Sequence, residues 1–398
     1  MADLLPLADA QARLLALAGL TAVEEVPLGD ALHRWLAASL TAQRTQPATD
    51  VSAMDGWALR FADCAAPLRI IGESAAGHPF AGSVGAGEAV RIFTGAHMPA
   101  GADTVAVQED MRADGATLRR AAQGPPAAGA HIRRRGQDFL SGAPIAAEGQ
   151  LVTAALIGLA AAAGQTHLPV RRRPRVAIIA TGSELVGVGE TAGPGHIISS
   201  NGPMLAAMLA DAAVADHGIV ADSLDALCLA LESACDSADI VVTIGGASVG
   251  DHDLVRPALA RIGAALDFWR IAIRPGKPLL AGKRGDVIII GLPGNPVSAY
   301  VCALLFLLPL VRHMAGAPQP LPRETMAIVT RPLPANGARR DFMRATLADA
   351  GGVLHVTPFA AQDSSMLSRL AAAHALLVRP EQAPPVPAGA SVPVLILG

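Results

Sequence analysis

The chain has 398 residues, 52% of them hydrophobic and only 3% aromatic, and its formal net charge is −3 at pH 7. This charge excludes a general attraction to nucleic acid. The longest apolar run, 300–311, is interrupted by Pro309 and falls short of the ~20 residues of a membrane span. The length predicts roughly two to four domains, and the four cysteines lack zinc-site spacing, which favours a reducing, cytoplasmic setting.

The first part of the chain is predicted to be a helical domain with an insertion. Residues 4–42 are predicted to be helical, because leucine and alanine recur at helical spacing. Between 45 and 149, short apolar pieces alternate with glycine-rich turns, a pattern typical of short strands and hairpins. A second helix over 150–164 is expected to pack against the first, and the run RRRPR at 171–175 indicates a linker.

From residue 175 onward, strands alternate with helices, which predicts a parallel sheet with right-handed crossovers. The predicted strands are 175–180, 218–222, 240–244 and 287–290, and the predicted helices are 203–213, 224–237 and 254–262. Prolines within 318–323 end this part of the chain. The short strands that follow indicate a small β-barrel or sandwich.

The stretch 273–300, which contains IRPGKPLL and then GLPGNPVSAY, is the most informative part of the sequence. The strand at 287–290 runs into a loop of two glycines and two prolines, which is expected at the carboxyl edge of the sheet, where open α/β sheets bind ligands. Free backbone N–H groups at the start of the next helix suit an anion. Arg274 and Lys277 add cations suited to phosphate. The pattern predicts a site for a phosphorylated or oxyanionic small molecule.

A second glycine-rich loop follows the strand at 240–244 and reads GGASVGDHD. Its glycines permit close backbone approach to a ligand, Ser248 offers a hydroxyl group, and the aspartates suit a hard cation such as magnesium. The alternative is an ordinary strand-to-helix turn in which Asp251 or Asp253 caps the helix.

Two further polar clusters belong to the same part of the chain. ATGSEL at 180–185 follows the first predicted strand, and a helix dipole favours the Glu184 carboxylate. IISSN stands at 197–201. Because the carboxyl ends of parallel strands share one edge of a sheet, these loops are expected to converge on one ligand site.

The predicted insertion carries three polar segments. Asp55 precedes Gly56 in a pair that most often marks a turn, and the segment 93–103 is rich in turn formers. RRRGQD at 133–138 is either a solvated charge run or an anion site, since guanidinium groups match oxyanions bidentately.

Together and in this order, the motifs resemble the molybdopterin molybdenumtransferase family, which includes MoeA and the gephyrin E domain. The matching pieces lie between residues 52 and 299 and are SAMDGWAL, RIFTGAHMPAGADTV, RRRGQDF, ATGSEL, IISSN, TIGGASVGDHD, RPGKPLL and GLPGNPVSA. QDSSMLSRL near the C-terminus is also similar. Each piece is moderately specific, and the ordered set is highly specific.

The resemblance implies a multidomain α/β fold. Its domains are a split helical domain at 1–44 with 146–174, a β-rich, lasso-like insertion at 45–145, a central parallel-sheet α/β molybdopterin-binding domain at 175–320 and a small C-terminal β-barrel at 321–398. It also implies an elongated homodimer in which the α/β domain of one subunit and the insertion of the other form each cleft. No nucleic-acid or membrane partner is implied.

The family's reaction takes adenylylated molybdopterin and molybdate, releases AMP and places molybdenum on the dithiolene, with a divalent cation that is usually magnesium. Such chemistry depends on positioning and charge neutralisation. The implied catalytic carboxylates are Asp55, Asp138, Glu184, Asp222 and Asp253, of which Glu184, Asp222 and Asp253 are the implied metal ligands. The implied substrate-binding residues are Thr94, Gly245, Gly246, Ser248, Arg270, Arg274, Lys277, Pro293, Gly294, Asn295, Pro296, Arg344 and Ser365.

The sequence departs from the family pattern at a few positions. Arg270 and Arg274 stand at two family lysine positions, so that a planar fork replaces a point charge. Trp57 and Ala247 stand where the family usually has Tyr and Val.

Two other functions for the same fold stay open, a binding or scaffolding protein and a molybdopterin adenylyltransferase. The intact carboxylates favour retained chemistry, and the insertion and barrel argue against the adenylyltransferase, which needs the α/β domain only.

Overall fold

A computed structural model describes residues 4–122, 126–246 and 254–397. The helices in these ranges are α1 (Leu7–Leu17), α2 (Ala154–Ala162), α3 (Asn201–Met208), α4 (Leu224–Ser237), α5 (Val255–Arg261), α6 (Pro296–Met314) and α7 (Leu367–Ala371).

The two segments on either side of the insertion come together through strand pairing. The strands up to residue 171 are β1 (Val23–Pro27), β2 (Leu40–Thr41), β3 (Val51–Ser52), β4 (Gly56–Leu59), β5 (Leu68–Ser74), β6 (Glu88–Ile92), β7 (Thr104–Val107), β8 (Met111–Asp114), β9 (Thr117–Arg120), β10 (Ile132–Arg133), β11 (Pro144–Ala146) and β12 (His167–Arg171). β1 pairs with β12 and β2 with β11, both antiparallel. The split domain is therefore confirmed.

The prediction of one helix over residues 4–42 is wrong beyond Leu17. Val23–Pro27 forms β1 instead, with exposed and half-buried positions alternating along it, and Pro27 and Gly29 oppose a helix. The expected packing of the two helices is also wrong. α1 buries Leu7 and Leu14 in the core of the α/β sheet, whereas α2 contributes to a separate core.

The insertion is strand-rich, as the turn pattern predicts. Within the described residues its main sheet has the order β7-β4-β6-β5-β9-β8, and β3 pairs with β10 beside it. Leu59, Leu68 and Leu118 are fully buried under this sheet.

The central domain is an open sheet with the order β16-β13-β17-β21-β20-β18. The strands from residue 175 to 292 are β13 (Arg175–Thr181), β14 (Leu185–Val186), β15 (Ile197–Ile198), β16 (Ala213–Val220), β17 (Ile240–Ile244), β18 (Ala265–Trp269), β19 (Ile273–Arg274), β20 (Leu280–Arg284) and β21 (Val287–Leu292). β16, β13, β17 and β21 are parallel, which confirms the predicted parallel sheet. β18 and β20 are antiparallel additions that the sequence pattern did not predict.

α6 is the core helix of this domain. It is long and apolar enough to cross a membrane by composition, but 72% of its most apolar window is buried inside the protein. Pro309 lacks the N–H that would bond the Leu305 carbonyl, and Gln11 of α1 donates to that carbonyl at 2.8 Å instead. A π-helical turn at Ala303–Leu307 precedes the proline.

The C-terminal part is the predicted β-barrel. Its strands are β22 (Thr325–Val329), β23 (Arg340–Ala350), β24 (Val353–Pro358), β25 (Ala375–Arg379) and β26 (Ser391–Ile396). The ring closes because β23 pairs with both β24 and β25. β19 of the preceding domain pairs with β23, so Arg274 stands opposite Asp341.

The predicted linker at 171–175 is held in place by one carboxylate. Asp239 accepts hydrogen bonds from the guanidinium of Arg172 at 2.9 and 3.0 Å and from the Arg175 backbone N–H at 2.7 Å. Burial alone would raise the pKa of Asp239, but these hydrogen bonds outweigh it and lower that pKa from 3.8 to about 2. Asp239 therefore holds the predicted linker in a fixed position.

We expect Asp239→Asn to lower the free energy of unfolding by about 2 kcal/mol at pH 7. Because the pKa of Asp239 is depressed in the folded state, the stabilisation is complete above pH 3.8 and is lost as the pH falls towards about 2. Urea unfolding at pH 7, 5, 4 and 3 should show the wild type and the variant converging below about pH 4. Asp225→Asn, which removes a 78% exposed ion-pair partner of Arg261, is the control and should change little. A difference that persists unchanged at pH 3 would contradict this role for Asp239.

Candidate active site

A cleft of about 560 Å³ lies at the carboxyl edge of the parallel sheet. The loops after β13, β17 and β21 reach it, and a loop before α7 closes it from the barrel. Its lining includes Glu184, Gly245, Gly294, Asn295, Pro296 and Ser365. The predicted convergence of separate strand ends is therefore observed, and Glu184, Gly245 and Asn295 share one cavity.

Glycines allow the three strand-end loops to approach one another this closely. Gly245 has φ +89°, and a Cβ at this position would lie 2.6 Å from the Thr181 carbonyl oxygen. A Cβ on Gly294 would lie 3.8 Å from the Gly245 Cα. The Gly245 N–H also donates to the Leu292 carbonyl at 3.1 Å. The floor of the cleft therefore depends on the absence of a side chain at Gly245.

Asp222, just beyond β16, organises the loop that carries Glu184. Its carboxylate accepts from the Thr181 hydroxyl at 2.9 Å and from the Ser183 N–H and hydroxyl, both at 2.7 Å. Glu184 is exposed, and its carboxylate folds back over Gly182, where a Cβ would lie 2.6 Å from it. Asp222 thus fixes the loop, whereas the Glu184 carboxylate stays accessible from the cleft.

Asn201 is a cleft residue that the sequence analysis placed only within a polar cluster. Its side-chain N–H donates to the Gly294 carbonyl at 2.7 Å, which ties the start of α3 to the loop after β21. Its Oδ1 is buried and has no hydrogen-bond partner among the described residues. The signal that could have identified it is the position of Asn201 at a helix start beside the other strand-end loops.

The helix-start prediction at α6 needs a correction. Asn295 is the N-cap, and Pro296 at the first helical position has no N–H. The Val297 N–H already donates to the Ser364 carbonyl at 3.1 Å, so it is not available to an anion. The Val297 N–H, the first backbone donor of α6, therefore holds the loop before α7 against the start of α6.

A smaller pocket of about 240 Å³ lies where the α/β domain meets the barrel, lined by Arg274, Asp341, Arg344 and Gln362 among others. Arg274 forms an ion pair with Asp341, and this hydrogen bond raises the pKa of Arg274. Arg344 is 1% exposed, and its Nη1 donates to the Met366 carbonyl at 3.1 Å. Its Nη2 has no hydrogen-bond partner in the described part of the chain. Burial lowers the pKa of Arg344.

The remaining described residues that were predicted for the central domain line neither of these two cavities. Lys277 is exposed on the loop between β19 and β20, and Pro293 is buried in the loop after β21. Gly246 follows Gly245 with φ +62°. The Arg270 guanidinium lies over the Trp269 ring, 4.1 Å from its centroid. Ser248 and Asp253 lie outside the described residues, as does the choice between Asp251 and Asp253 as a helix cap.

In the insertion, Asp55 and Thr94 form one unit. The Thr94 N–H and hydroxyl both donate to Asp55 Oδ1 at 2.8 Å, and the backbone hydrogen bond is the main reason that the pKa of Asp55 is lowered. The Asp-Gly pair does not form the expected turn, since Asp55 lies in a bend and Gly56 begins β4, and the Asp55 carboxylate is engaged by the loop after β6.

Asp138 lines another cavity of about 620 Å³, together with Arg133, His97 and Gly95. Arg134 forms an ion pair with Asp50 at 2.6 Å. Within the run RRRGQD, Arg134 is thus neutralised by Asp50, and Arg133 lines the cavity. Asp55, Thr94 and Asp138 do not line the cleft that contains Glu184.

Among the described residues, no group of three or more His, Cys, Asp or Glu is arranged as a metal site. Glu184 lines the cleft, and Asp222 accepts a hydrogen bond from the Ser183 N–H in the same loop. Carboxylate oxygens are the donors that a hard cation prefers.

An open α/β sheet with a polar, glycine-rich cleft at its carboxyl edge defines a class of proteins that bind small anionic ligands. Family models match the chain in three parts. "MoeA N-terminal region (domain I and II)" matches residues 5–164, "Probable molybdopterin binding domain" matches 177–313 and "MoeA C-terminal region (domain IV)" matches 326–397.

Curated relatives match almost the whole chain. A molybdopterin molybdenumtransferase of Bacillus subtilis is 34% identical over 389 residues, covering 94% of this chain and 90% of the relative. Molybdopterin molybdenumtransferase 2 of Mycobacterium tuberculosis is 36% identical over 386 residues, covering 93% and 94%. The crystal structure of a molybdopterin biosynthesis MoeA protein from Pyrococcus horikoshii OT3 has a TM-score of 0.84 at 26% identity, covering 99% of this chain and 100% of that one. The chain belongs to the molybdopterin molybdenumtransferase family, a family of enzymes.

Proposed function

We propose that the chain is a cytoplasmic enzyme of molybdenum cofactor biosynthesis that inserts molybdenum from molybdate into adenylylated molybdopterin and releases AMP. The observation that carries this proposal is the meeting of Glu184, Gly245, Asn295 and Ser365 around one cleft at the sheet edge. Relatives of the chain are named for molybdenum transfer, and the cleft provides the backbone access and the polar groups that a pterin diphosphate needs.

The two cavities suit two different anions. The large cleft gives the pterin and its phosphoanhydride access to backbone at Gly245 and Gly294, together with the loops that carry Gly246, Pro293 and Pro296. The small pocket suits molybdate, because Nη2 of the buried Arg344 guanidinium has no partner among the described residues and Arg274, which is paired with Asp341, adds a second guanidinium. We propose that Lys277, three residues after Arg274, and Ser365, which precedes the Met366 whose carbonyl accepts from Arg344, complete the molybdate site. The reaction then joins molybdenum to the two dithiolene sulfurs, with one molybdate oxygen and the two thiol protons leaving as water, and a water cleaves the phosphoanhydride to release AMP.

A magnesium ion fits the donor set that this chain offers. Glu184 lines the cleft, and Asp222 is a carboxylate that holds the loop carrying Glu184 through Thr181 and Ser183. We propose that Glu184, Asp222 and Asp253 hold the cation, with Ser248 beside it on the phosphate. When bound, the cation would neutralise charge on the phosphoanhydride.

The direct test is incubation of the purified protein with adenylylated molybdopterin, magnesium and molybdate, with AMP as the readout. AMP release that depends on molybdate supports the proposal. A protein that binds the pterin but releases no AMP would be a binding or scaffolding protein. One that makes adenylylated pterin from ATP would be an adenylyltransferase.

We further propose a homodimer in which the insertion of one subunit completes the cleft of the other through Asp55, Thr94 and Asp138. These residues lie outside the cleft that contains Glu184 within one chain, and Asp138 lines a separate cavity with Arg133, His97 and Gly95, the residue after Thr94. We propose that the split helical domain comprises 1–44 with 146–174, the insertion 45–145, the α/β domain 175–320 and the barrel 321–398.

Complementation between inactive chains tests this shared cleft. Asp55→Ala and Glu184→Gln chains, each inactive alone, should recover AMP release when they are co-assembled in equal amounts. About a quarter of all clefts would then carry neither change, because half of the dimers are mixed and each has one intact cleft. The control combines Asp55→Ala with Asp138→Ala, both in the insertion, where every cleft carries a change and no recovery is expected. Equal recovery in both mixtures, or in neither, would contradict a cleft shared in this way.

A further inference from the structure

One glutamine side chain holds Arg344 of the small pocket at three points. Gln362 Oε1 accepts from the Arg344 backbone N–H at 3.0 Å and from Arg344 Nε at 3.4 Å, and Gln362 Nε2 donates to the Arg344 carbonyl at 2.9 Å. Nε2 also donates to the Phe359 carbonyl at 2.9 Å. A side-chain amide offers two N–H groups and two acceptor positions on its oxygen. All four are used, so Gln362 lines the pocket but has no N–H left for a ligand.

The glutamine takes the place of a strand partner beside Arg344. β23 pairs with β24 from Ala345 onward, so Arg344 lies one residue before that pairing begins. The Gln362 side chain, in the loop before α7, presents an N–H and an acceptor oxygen to the Arg344 backbone, as a neighbouring strand would. The Phe359 N–H donates to the same Arg344 carbonyl at 3.0 Å. Arg344 is therefore held both at its backbone and at the first nitrogen of its guanidinium.

The amide holds this guanidinium without cancelling its charge. Arg344 Nε bonds the neutral side chain of Gln362, and Nη2 has no hydrogen-bond partner in the described part of the chain. Arg274 in the same pocket is held differently, because the Asp341 carboxylate pairs with it. Asp363 acts on the charge of Arg344 without forming an ion pair with it. A carboxylate in place of the Gln362 amide would compete with an oxyanion for this cation, whereas the amide leaves the cation to the ligand.

We propose that Gln362 is a positioning residue for molybdate, whose amide orients the Arg344 guanidinium so that Nη2 is left to the oxyanion. The planar guanidinium has a fixed arrangement of donors, so its orientation decides which of them a bound oxyanion meets. The inference rests on the proposed function for the role of Arg344. Because Gln362 acts through Arg344, its effect on molybdate should disappear once Arg344 is replaced.

Calorimetric titration of the full-length protein with molybdate alone tests this role without turnover. Gln362→Met, of similar length, should weaken molybdate binding about tenfold, or about 1.4 kcal/mol, because the guanidinium loses its fixed orientation. Gln362→Glu keeps the shape of the side chain but places a carboxylate on Arg344 Nε, and should weaken binding about a hundredfold. The double variant Arg344→Met with Gln362→Met should bind no more weakly than Arg344→Met alone, whereas two independent losses would multiply.

Asn336→Leu is the matched control for a structural amide in the same domain. Asn336 is half-buried, and its Nδ2 donates to the carbonyls of Arg339, Arg379 and Pro380 at 2.9, 3.0 and 2.7 Å. Urea unfolding should show a lower midpoint in both Asn336→Leu and Gln362→Met, since each change leaves backbone carbonyls without donors. Molybdate binding should be unchanged in Asn336→Leu, which separates positioning from lost stability.

The AMP assay adds a kinetic readout that a structural role would not produce. Gln362→Met should raise half-saturation by molybdate about tenfold, with little change in kcat or in KM for adenylylated molybdopterin. Wild-type molybdate binding in Gln362→Met, or further weakening in the double variant, would overturn the proposal while Arg344 keeps its role. A wild type that binds no molybdate, or an Arg344→Met chain that binds it normally, would overturn both. If molybdate binds through both residues but no AMP is released, the proposed function fails and the role of Gln362 stands.

Discussion

Gly245→Ala is expected to reduce AMP release at least a hundredfold and to lower the free energy of unfolding by about 2–4 kcal/mol. Two effects combine at this residue. Its φ of +89° disfavours any side chain, and the new Cβ would lie 2.6 Å from the Thr181 carbonyl oxygen, a backbone atom that cannot rotate away. The loop that carries Glu184 would have to move away from Gly245, and the cleft would lose its shape.

Gly263→Ala is the matched control for this substitution. Gly263 has φ +73°, and a Cβ there would meet nothing within 4 Å. It should therefore show only the backbone cost, about 1 kcal/mol, with AMP release retained. The measurements are urea unfolding and the AMP assay on both variants. Activity near the wild-type level in Gly245→Ala would mean that the contact between these strand-end loops does not shape the site.

Arg344→Met is expected to lower molybdenum transfer at limiting molybdate at least a hundredfold while leaving stability within about 1 kcal/mol of the wild type. Arg344 is 1% exposed and its Nη2 lacks a partner among the described residues, so the folded protein bears an incompletely paired buried cation. A methionine of similar length removes that cation and the proposed molybdate contact together. Half-saturation by molybdate should rise at least a hundredfold, whereas binding of adenylylated molybdopterin should be retained.

Arg379→Met is the matched control, for which lost stability and retained transfer are expected. Arg379 is 4% exposed, but its Nη2 donates to the carbonyls of Pro334 at 2.9 Å and Pro384 at 2.6 Å. Its removal leaves those carbonyls unpaired and should lower the free energy of unfolding by about 2–3 kcal/mol with transfer retained. If Arg344→Met instead unfolds the protein as Arg379→Met does, or transfers molybdenum normally, then Arg344 is structural and not a molybdate ligand.

Much of the central site could be predicted from sequence because its features are local. Glycine-rich turns follow directly after the apolar strands at 175–181, 240–244 and 287–292 and can be recognised in the sequence. Parallel pairing of these strands brings the turns to one edge of the sheet. The convergence of Glu184 with Asn295 therefore follows from strand order alone.

The errors arose where distant residues decide the outcome. Apolar periodicity in 4–42 did not reveal that α1 would pack on the α/β sheet while β1 pairs with a strand more than a hundred residues away. The backbone N–H groups at the start of α6 were expected to be free to bind an anion. The Val297 N–H instead donates a hydrogen bond to the Ser364 carbonyl of the C-terminal domain. The ion pair between Arg274 and Asp341 likewise depends on β19 joining the barrel.

The central claim is that the strand-end loops enclose the anionic ligand, and a crystal structure with adenylylated molybdopterin bound, molybdate being withheld, tests it most directly. The structure is expected to hold the pterin diphosphate in the cleft, in contact with Gly245, Gly294 and Asn295 and within reach of Glu184. A second cavity of similar volume, about 580 Å³, lies on the other side of the β14–β15 ribbon around Asp216 and Ile219. Ligand density in that cavity, with the cleft vacant, would contradict the claim.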